Sequence, residues 1–563
     1  MTKPVILRAV IGIDLGTTNC ALAYSNGDAV ALFEIPQYVH PNEIREEPLL
    51  PSFLFMEDSG PIAGVLAQRK GLDNAGRLVS SAKSWLSYAQ ADRNAAILPA
   101  SAPEGVPKIS PVEASRYFLQ HLRDAWDSKY PGEPFAKHQV LVTVPASFDA
   151  VARDLTLKAA AEAGYPQVIL LEEPQAAFYA WVARNPDWRE QVQVGDLILV
   201  VDIGGGTTDF TLIAVREQAG EVVLDRIAAG DHILLGGDNI DAALAHALAA
   251  KMPKLDRVQF HSLAQQARAA KEKLLEPGTK STEASITILG RGSGVVGGSV
   301  KTKLDRAMVN GILLDGFLPL ASSTEEPQGH GAALTEFGLP YAADAAITRH
   351  LAHFLHRQSA VPTHVLFNGG VLRAAVVRQR LLEVLNSWLP KPVVPLASDD
   401  LMHAVARGAA YYGLARQGKG VRVRGGVPRT YYIGVETPMP AVPGMRPPVK
   451  ALTVVPFGME EGTSHNIAAR EFRLRVGDRA QFRFFQSAER KEDEPGVLLE
   501  DITPDMEEMA PVEALLAGNP GETVSVKLES SVTETGVLEL FFVSTDGRRW
   551  KLEFNVRKGP TKN

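Results

Sequence analysis

A chain of 563 residues with 45% hydrophobic and 22% charged side chains has a globular composition and is too long for one hydrophobic core. Its net charge of −7 excludes a global basic field for nucleic acid or an anionic membrane, and its single cysteine, Cys20, excludes an internal disulfide framework. No run reaches transmembrane length, and the apolar start leads straight into a glycine turn, so it reads as a core strand and the expected compartment is the cytoplasm.

Ile11–Asn19 (IGIDLGTTN) is an apolar run closing on Asp14, then Gly16 and Thr17-Thr18. Gln139–Val144 predicts a strand ended by Pro145, and Asp149–Gly164 a helix with Asp at its N-cap and Gly at its stop. Val168–Leu171 is a short strand before Glu172-Glu173-Pro174, with a helix over Gln175–Arg184. Val201–Asp209 (VDIGGGTTD) then repeats the first turn. Glycines let backbone N–H groups approach an anion, threonine hydroxyls add donors, and each Asp can hold a cation or orient water. Two such turns facing each other would clamp the phosphates of one nucleotide, with a hydrated metal between Asp14 and Asp202.

Beyond the second turn, Val222–Ala229 reads as a strand, and Asn239–Met252 and Leu263–Leu275 as helices. Thr363–Asn368 is a strand entering Gly369-Gly370, followed by helices over Val376–Leu385 and about Ala404–Arg416. Gln417–Arg429 is glycine-rich and basic, a linker by content. From Tyr431 the pattern becomes alternation with turns, and Val537–Phe542 with Trp550–Val556 predicts a hairpin. Ala488–Gly496 reads as a solvated charged turn, and Gly331–Gln358 as an embellishment. Cys20 reads as a small packed residue, and His350, His353 and His356, three apart on a helix, lack the partners of a metal site.

Five blocks in order, IGIDLGTTN, LVTVPASFDAVAR, EEPQAA, VDIGGGTTDF and ARGAAYYG, resemble the 70-kDa heat-shock (DnaK-type) chaperones, and the β-rich tail extends the match over nearly the whole chain. The resemblance implies an α/β, two-lobed actin-like ATPase with duplicated ribonuclease-H-like cores, followed by an all-β sandwich domain. The expected limits are residues 1–200 for lobe I, 201–416 for lobe II, 417–429 for the linker, 430–557 for the β domain and 558–563 for a tail.

The same resemblance implies the roles. Lys83, Glu173, Asp202 and Thr207 would carry ATP hydrolysis, with Lys83 at the γ-phosphate and Glu173 orienting water or coupling to the hinge. Asp14 and Asp202 would hold the magnesium–water shell, and Asp209 with Asp14 a potassium ion. Gly16, Thr17, Thr18 and Asn19 would face Gly204, Gly205, Gly206 and Thr207 across the phosphates of ATP or ADP. Gly236, Gly237, Lys271, Gly369, Gly370 and Arg373 would frame phosphate, ribose and adenine, while Pro145 and Arg153 would relay nucleotide state. Expected partners are unfolded or extended polypeptide, or one dedicated protein, and a J-domain co-chaperone; neither nucleic acid nor membrane is expected.

The chain departs from the family pattern at Arg268, where an acidic residue is usual, and at Glu272, Leu275, Val371 and Met402. Altered adenine contacts are therefore expected. Val421-Arg422-Val423-Arg424 replaces the family's apolar linker with alternating arginines, which predicts weaker docking by burial. No helical bundle follows the β domain in this sequence, so a lidless pocket with fast peptide release is expected. An ATP-dependent chaperone is the leading expectation, and a nucleotide-gated scaffold for one partner the alternative.

Overall fold

The computed structural model describes residues 9–27, 29–88, 91–218, 221–231, 233–288, 299–329, 342–398, 400–418, 423–424, 426–436, 448–460, 462–519, 521–533 and 538–554. The chain divides into two compact units, the first comprising residues 1–86, 95–147 and 158–422, the second residues 87–94, 148–157 and 423–563.

The first unit contains one sheet topology twice. Strands β1 (Val10–Leu15), β2 (Asn19–Asn26), β3 (Ala29–Leu32), β4 (Gln139–Val144) and β5 (Val168–Glu172) run in the order β5-β4-β1-β2-β3. Strands β6 (Leu197–Ile203), β7 (Thr208–Gln218), β8 (Glu221–Ala229), β9 (His364–Asn368) and β10 (Val394–Leu396) run in the order β10-β9-β6-β7-β8. In each, the first strand pairs antiparallel with the second and parallel with a later one, so β1 and β6 occupy equivalent places. Both are continuous apolar runs because both faces are covered, as the parallel side of a sheet demands. Helix Ala404–Arg416 lies so close on β1 that a Cβ on Gly12 would sit 2.4 Å from the Ala406 carbonyl oxygen. The same helix meets Glu173–Arg184 through Gly408, where a Cβ would sit 1.7 Å from the Ala176 oxygen.

Helix starts lie earlier than periodicity suggests. Helix Glu173–Arg184 begins two residues before the predicted Gln175, since Pro174 suits a first turn, where its missing N–H costs nothing. Helix Gly237–Ala249 begins two residues early because the Gly236 N–H donates to Asn239 Oδ1 at 2.8 Å, which draws the Gly-Gly pair into its start. Helix Arg257–Leu275 begins six residues early on a capping box: Asp256 accepts from the Gln259 N–H at 2.9 Å, and Gln259 Oε1 from the Asp256 N–H at 3.1 Å.

The second unit is two antiparallel sheets around one core. One contains β11 (Thr430–Glu436), β12 (Val449–Val455) and β14 (Phe484–Ser487); the other contains β13 (Thr463–Arg475, with its pairing irregular between Ile467 and Phe472), β15 (Thr523–Val532), β16 (Leu538–Ser544) and β17 (Arg549–Phe554). Ile433, Leu452 and Val454 of the first meet Val526, Leu528, Phe542 and Trp550 of the second. The expected hairpin is β16–β17, with Phe542 opposite Trp550. Ala488–Gly496 departs from a solvated turn: Tyr432 Oη donates to Asp493 Oδ2 at 2.8 Å, and Arg490 Nε to the same oxygen at 2.6 Å. Side-chain pairs tether a segment that composition alone marks as free. Residues 331–341 of the predicted embellishment and 419–422 and 425 of the predicted linker lie outside the described residues; Ile347–Arg357 is a helix.

Candidate active site

The turns leaving β1 and β6 both open into a cleft of about 560 Å³ in the first unit. Asp14, Gly16, Thr17, Thr18 and Asn19 line it from one sheet, and Asp202, Gly204, Gly205 and Thr207 from the other. Lys83, Glu173, Gly237, Lys271, Gly369, Gly370 and Arg373 complete the expected set. Gly206, Gly236 and Asp209 are not among the residues lining the cleft. Pro145 follows β4, whereas Arg153 belongs to the second unit, and neither lines the cleft.

Backbone bonds hold the second turn to the start of helix Gly237–Ala249. The Gly237 N–H donates to the Gly204 carbonyl at 3.0 Å and the Asp238 N–H to that of Gly205 at 2.7 Å. A Cβ on Gly236 would lie 2.6 Å from the Gly205 oxygen, so only glycine permits this approach. The result fixes the second glycine turn against a helix start, whose first N–H groups are taken up by carbonyls of the turn. Gly369, at φ 93°, makes the equivalent turn after β9.

Charge is concentrated at the inner end. Lys83 Nζ is paired with Glu173 Oε1, and both are largely buried. Burial works against the Lys83 charge, but Glu173 and Asp14 outweigh it and hold the ammonium above its ordinary value. Burial, reinforced by Glu173, pushes the Asp14 carboxyl up to about 7. Burial and Glu173 likewise push Asp202 well above the carboxylate range, against a hydrogen bond from Asn368 Nδ2 at 2.8 Å. Asp209 is pushed up to about 6, chiefly by burial, although Ser147 Oγ donates to it at 2.5 Å.

These carboxylates fit a hard cation. The donors are oxygens, and buried Asn368 Oδ1, beside Asp202, has no hydrogen-bond partner among the described residues. Among the described residues no group of three or more His, Cys, Asp or Glu is placed to hold a metal ion. Cys20 is buried, and burial pushes its thiol up to about 12, which suits a packed residue.

Several residues of the site were not anticipated. Asn368 faces Asp202 in the β6–β9 register, as Thr143 faces Asp14 in β1–β4, so the repeated topology was the available signal. Asp241, Asp238 and Phe53 had none. Lys271 Nζ contacts Asp241 Oδ1 at 2.7 Å, and Arg268, Glu272, Leu275, Val371 and Met402, the departures from the family pattern, all line the cleft.

The carboxylate shifts predict a pH dependence. A folded state holding Asp14 near 7 and Asp209 near 6, against an ordinary 3.8, binds protons that the unfolded chain has released. Their contribution to the stability of the nucleotide-free protein therefore falls as pH rises from about 4 to about 7. Thermal midpoints measured across that window should decline less steeply in Asp14→Asn than in the parent, and a steeper decline contradicts the assignment.

Two duplicated sheets that close on a phosphate-type cleft define an actin-like ATPase fold, here with a β sandwich after it. The family model for "Hsp70 protein" matches residues 10–322, and the chain belongs to that family. It is 28% identical over 296 residues to the "Chaperone protein DnaK" of Psychrobacter cryohalolentis, covering 49% of this chain and 43% of the relative. It is 31% identical over 306 residues to the "Chaperone protein HscA homolog" of Colwellia psychrerythraea, covering 51% and 44%. With the "Chaperone protein HscA" of Photorhabdus laumondii the figures are 31% over 255 residues, 42% and 37%. The matches thus span less than half the length of these relatives. No helix among the described residues is long and apolar enough to cross a membrane.

Proposed function

We propose that this chain binds ATP in the cleft, hydrolyses it slowly, and uses the nucleotide state to set polypeptide affinity in its β unit. The observation that carries this is the convergence of both Asp-Gly-Thr-Thr turns on the Lys83–Glu173 pair. The chaperone names of the relatives support the polypeptide part.

In this reading the amides and hydroxyls of Gly16–Asn19 and Gly204–Thr207 cradle the phosphates. Lys83 neutralises charge developing on the transferred phosphoryl group, and Glu173 orients the attacking water. Asp14 and Asp202 would hold magnesium through its waters and Asp209 with Asp14 potassium; bound magnesium neutralises phosphate charge. Thr207 adds a hydroxyl to the cradle. Pro145 follows β4 of the first unit and Arg153 belongs to the second, so the short segment joining them passes from one unit to the other, which supports a relay role. A J-domain co-chaperone and a cytoplasmic setting accompany this reading.

A second reading, a nucleotide-gated scaffold for one dedicated partner, is favoured by the arginines at 422 and 424 in the linker. Phosphate release from ATP tests the common core of both. Slow turnover that requires magnesium is expected; absence of both binding and turnover would remove the ATPase reading.

A further inference from the structure

Asn368 lies outside the residues that the family resemblance assigns, yet it ends β9, lines the cleft and is only 2% exposed. Parallel pairing of β9 with β6 sets it directly beside Asp202, so strand register fixes the contact. Its Nδ2 donates to Asp202 Oδ2 at 2.8 Å. The amide can face that carboxylate only through its nitrogen, because two acceptor oxygens repel. Asn368 Oδ1 is thereby turned away from Asp202, and it is buried with no hydrogen-bond partner among the described residues. A buried acceptor without a donor costs free energy, and native interiors seldom keep one.

The groups gathered there are themselves acceptors. Asp202 is close enough to Glu173, Asp209 and Asp14 to feel their charge. Gly369 leaves room beside them: it holds φ 93°, and a Cβ on it would stand 2.6 Å from Asp202 Oδ1, the oxygen that Asn368 does not bind. Such a wall suits a ligand that donates hydrogen bonds and offers no acceptor. Water in the shell of a divalent cation has that chemistry, since its lone pair is turned to the metal and its O–H bonds point outward. The first sheet carries a matching arrangement, with Thr143 facing Asp14 across β1–β4. Each of the two aspartates expected to hold magnesium therefore has a neutral polar residue beside it on the next parallel strand.

We infer that Asn368 is a positioning residue of the cation site: its Nδ2 fixes the Asp202 carboxylate, and its Oδ1 accepts from a water of the bound magnesium. This rests on the proposed nucleotide site. The role depends on one donor and one acceptor rather than on bulk. A leucine of similar size supplies neither, so cation affinity should fall while metal-free nucleotide binding is largely kept.

The test is titration of the ADP-loaded full chain with Mn2+, followed by electron paramagnetic resonance, in the parent, Asn368→Leu and Asn368→Thr. ADP affinity in EDTA and thermal midpoints are measured alongside. Mn2+ should bind Asn368→Leu about tenfold more weakly, the size found when a partner of a metal-holding residue is lost, with ADP affinity in EDTA within about threefold. Asn368→Thr, which copies Thr143 and keeps one hydroxyl, should recover part of the loss. Equal Mn2+ affinity in the parent and Asn368→Leu overturns the assignment, and a lowered thermal midpoint with that affinity unmoved marks the contact as structural alone. If Asn368→Leu does not fold, Asn368→Ala, which also removes both groups, takes its place in the comparison. A parent that binds ADP but no Mn2+ overturns the assignment and leaves the nucleotide site standing, whereas a parent that binds neither removes both. If the parent binds Mn2+ without ADP, the nucleotide reading fails and the same comparison on Mn2+ alone decides the assignment.

Discussion

Lys83→Ala should abolish ATP turnover, by about a thousandfold or more, while ATP still binds. The size follows from what the side chain faces. Lys83 is buried against Glu173, with Asp14 near enough to raise its affinity for a proton. It is a largely buried positive charge, and in the proposed site a charge near the reacting phosphoryl group would count for more in that setting than in solvent. The two turns supply most of the ground-state contacts, so ATP affinity should change by less than about tenfold. Glu173→Gln separates the roles. It keeps the residue's size and removes the carboxylate, so turnover should fall while Lys83 remains in place. Turnover within tenfold of the parent in Lys83→Ala would withdraw the catalytic assignment.

Gly408→Ala should be the most damaging small substitution for stability. An added Cβ would lie 1.7 Å from the Ala176 carbonyl oxygen, 2.6 Å from its carbon and 3.0 Å from the Ala180 nitrogen. All three atoms are backbone of helix Glu173–Arg184, so no side chain can turn aside. The helices must separate, and that disturbs the wall carrying Glu173. A cost of about 3 kcal/mol is expected from overpacking a close backbone contact. Gly132→Ala is the control: nothing lies within 4 Å of its added Cβ, and its effect should stay within about 0.5 kcal/mol. Chemical denaturation of both variants measures the difference. Equal midpoints would mean that the helix contact at Gly408 is looser than described.

The cleft was readable in the sequence because its parts are contiguous. Asp14 to Asn19 and Asp202 to Thr207 are each one turn, and repetition of the turn announces repetition of the sheet. Helices Glu173–Arg184 and Arg257–Leu275 were legible as elements but not in extent. Their first turns are fixed by Pro174 and by the Asp256–Gln259 box, local bonds that carry no hydrophobic period. Asn368 was hidden because its partner Asp202 lies 166 residues away and meets it only through strand register. Phe53 was hidden for the same reason: it meets Arg268, far away in the chain, only in the folded cleft. The Tyr432–Asp493 bond likewise converts a charged run, ordinarily solvated, into a tethered loop.

In the proposed cycle the nucleotide in the cleft governs polypeptide capture. Fluorescence anisotropy of a labelled, extended apolar peptide, titrated with this chain under ATP and under ADP with magnesium and potassium, tests it most directly. Tighter binding in ADP and faster release on adding ATP are expected. Equal affinity in the two states, or no binding in either while ATP is still turned over, would contradict it and leave the dedicated-partner reading.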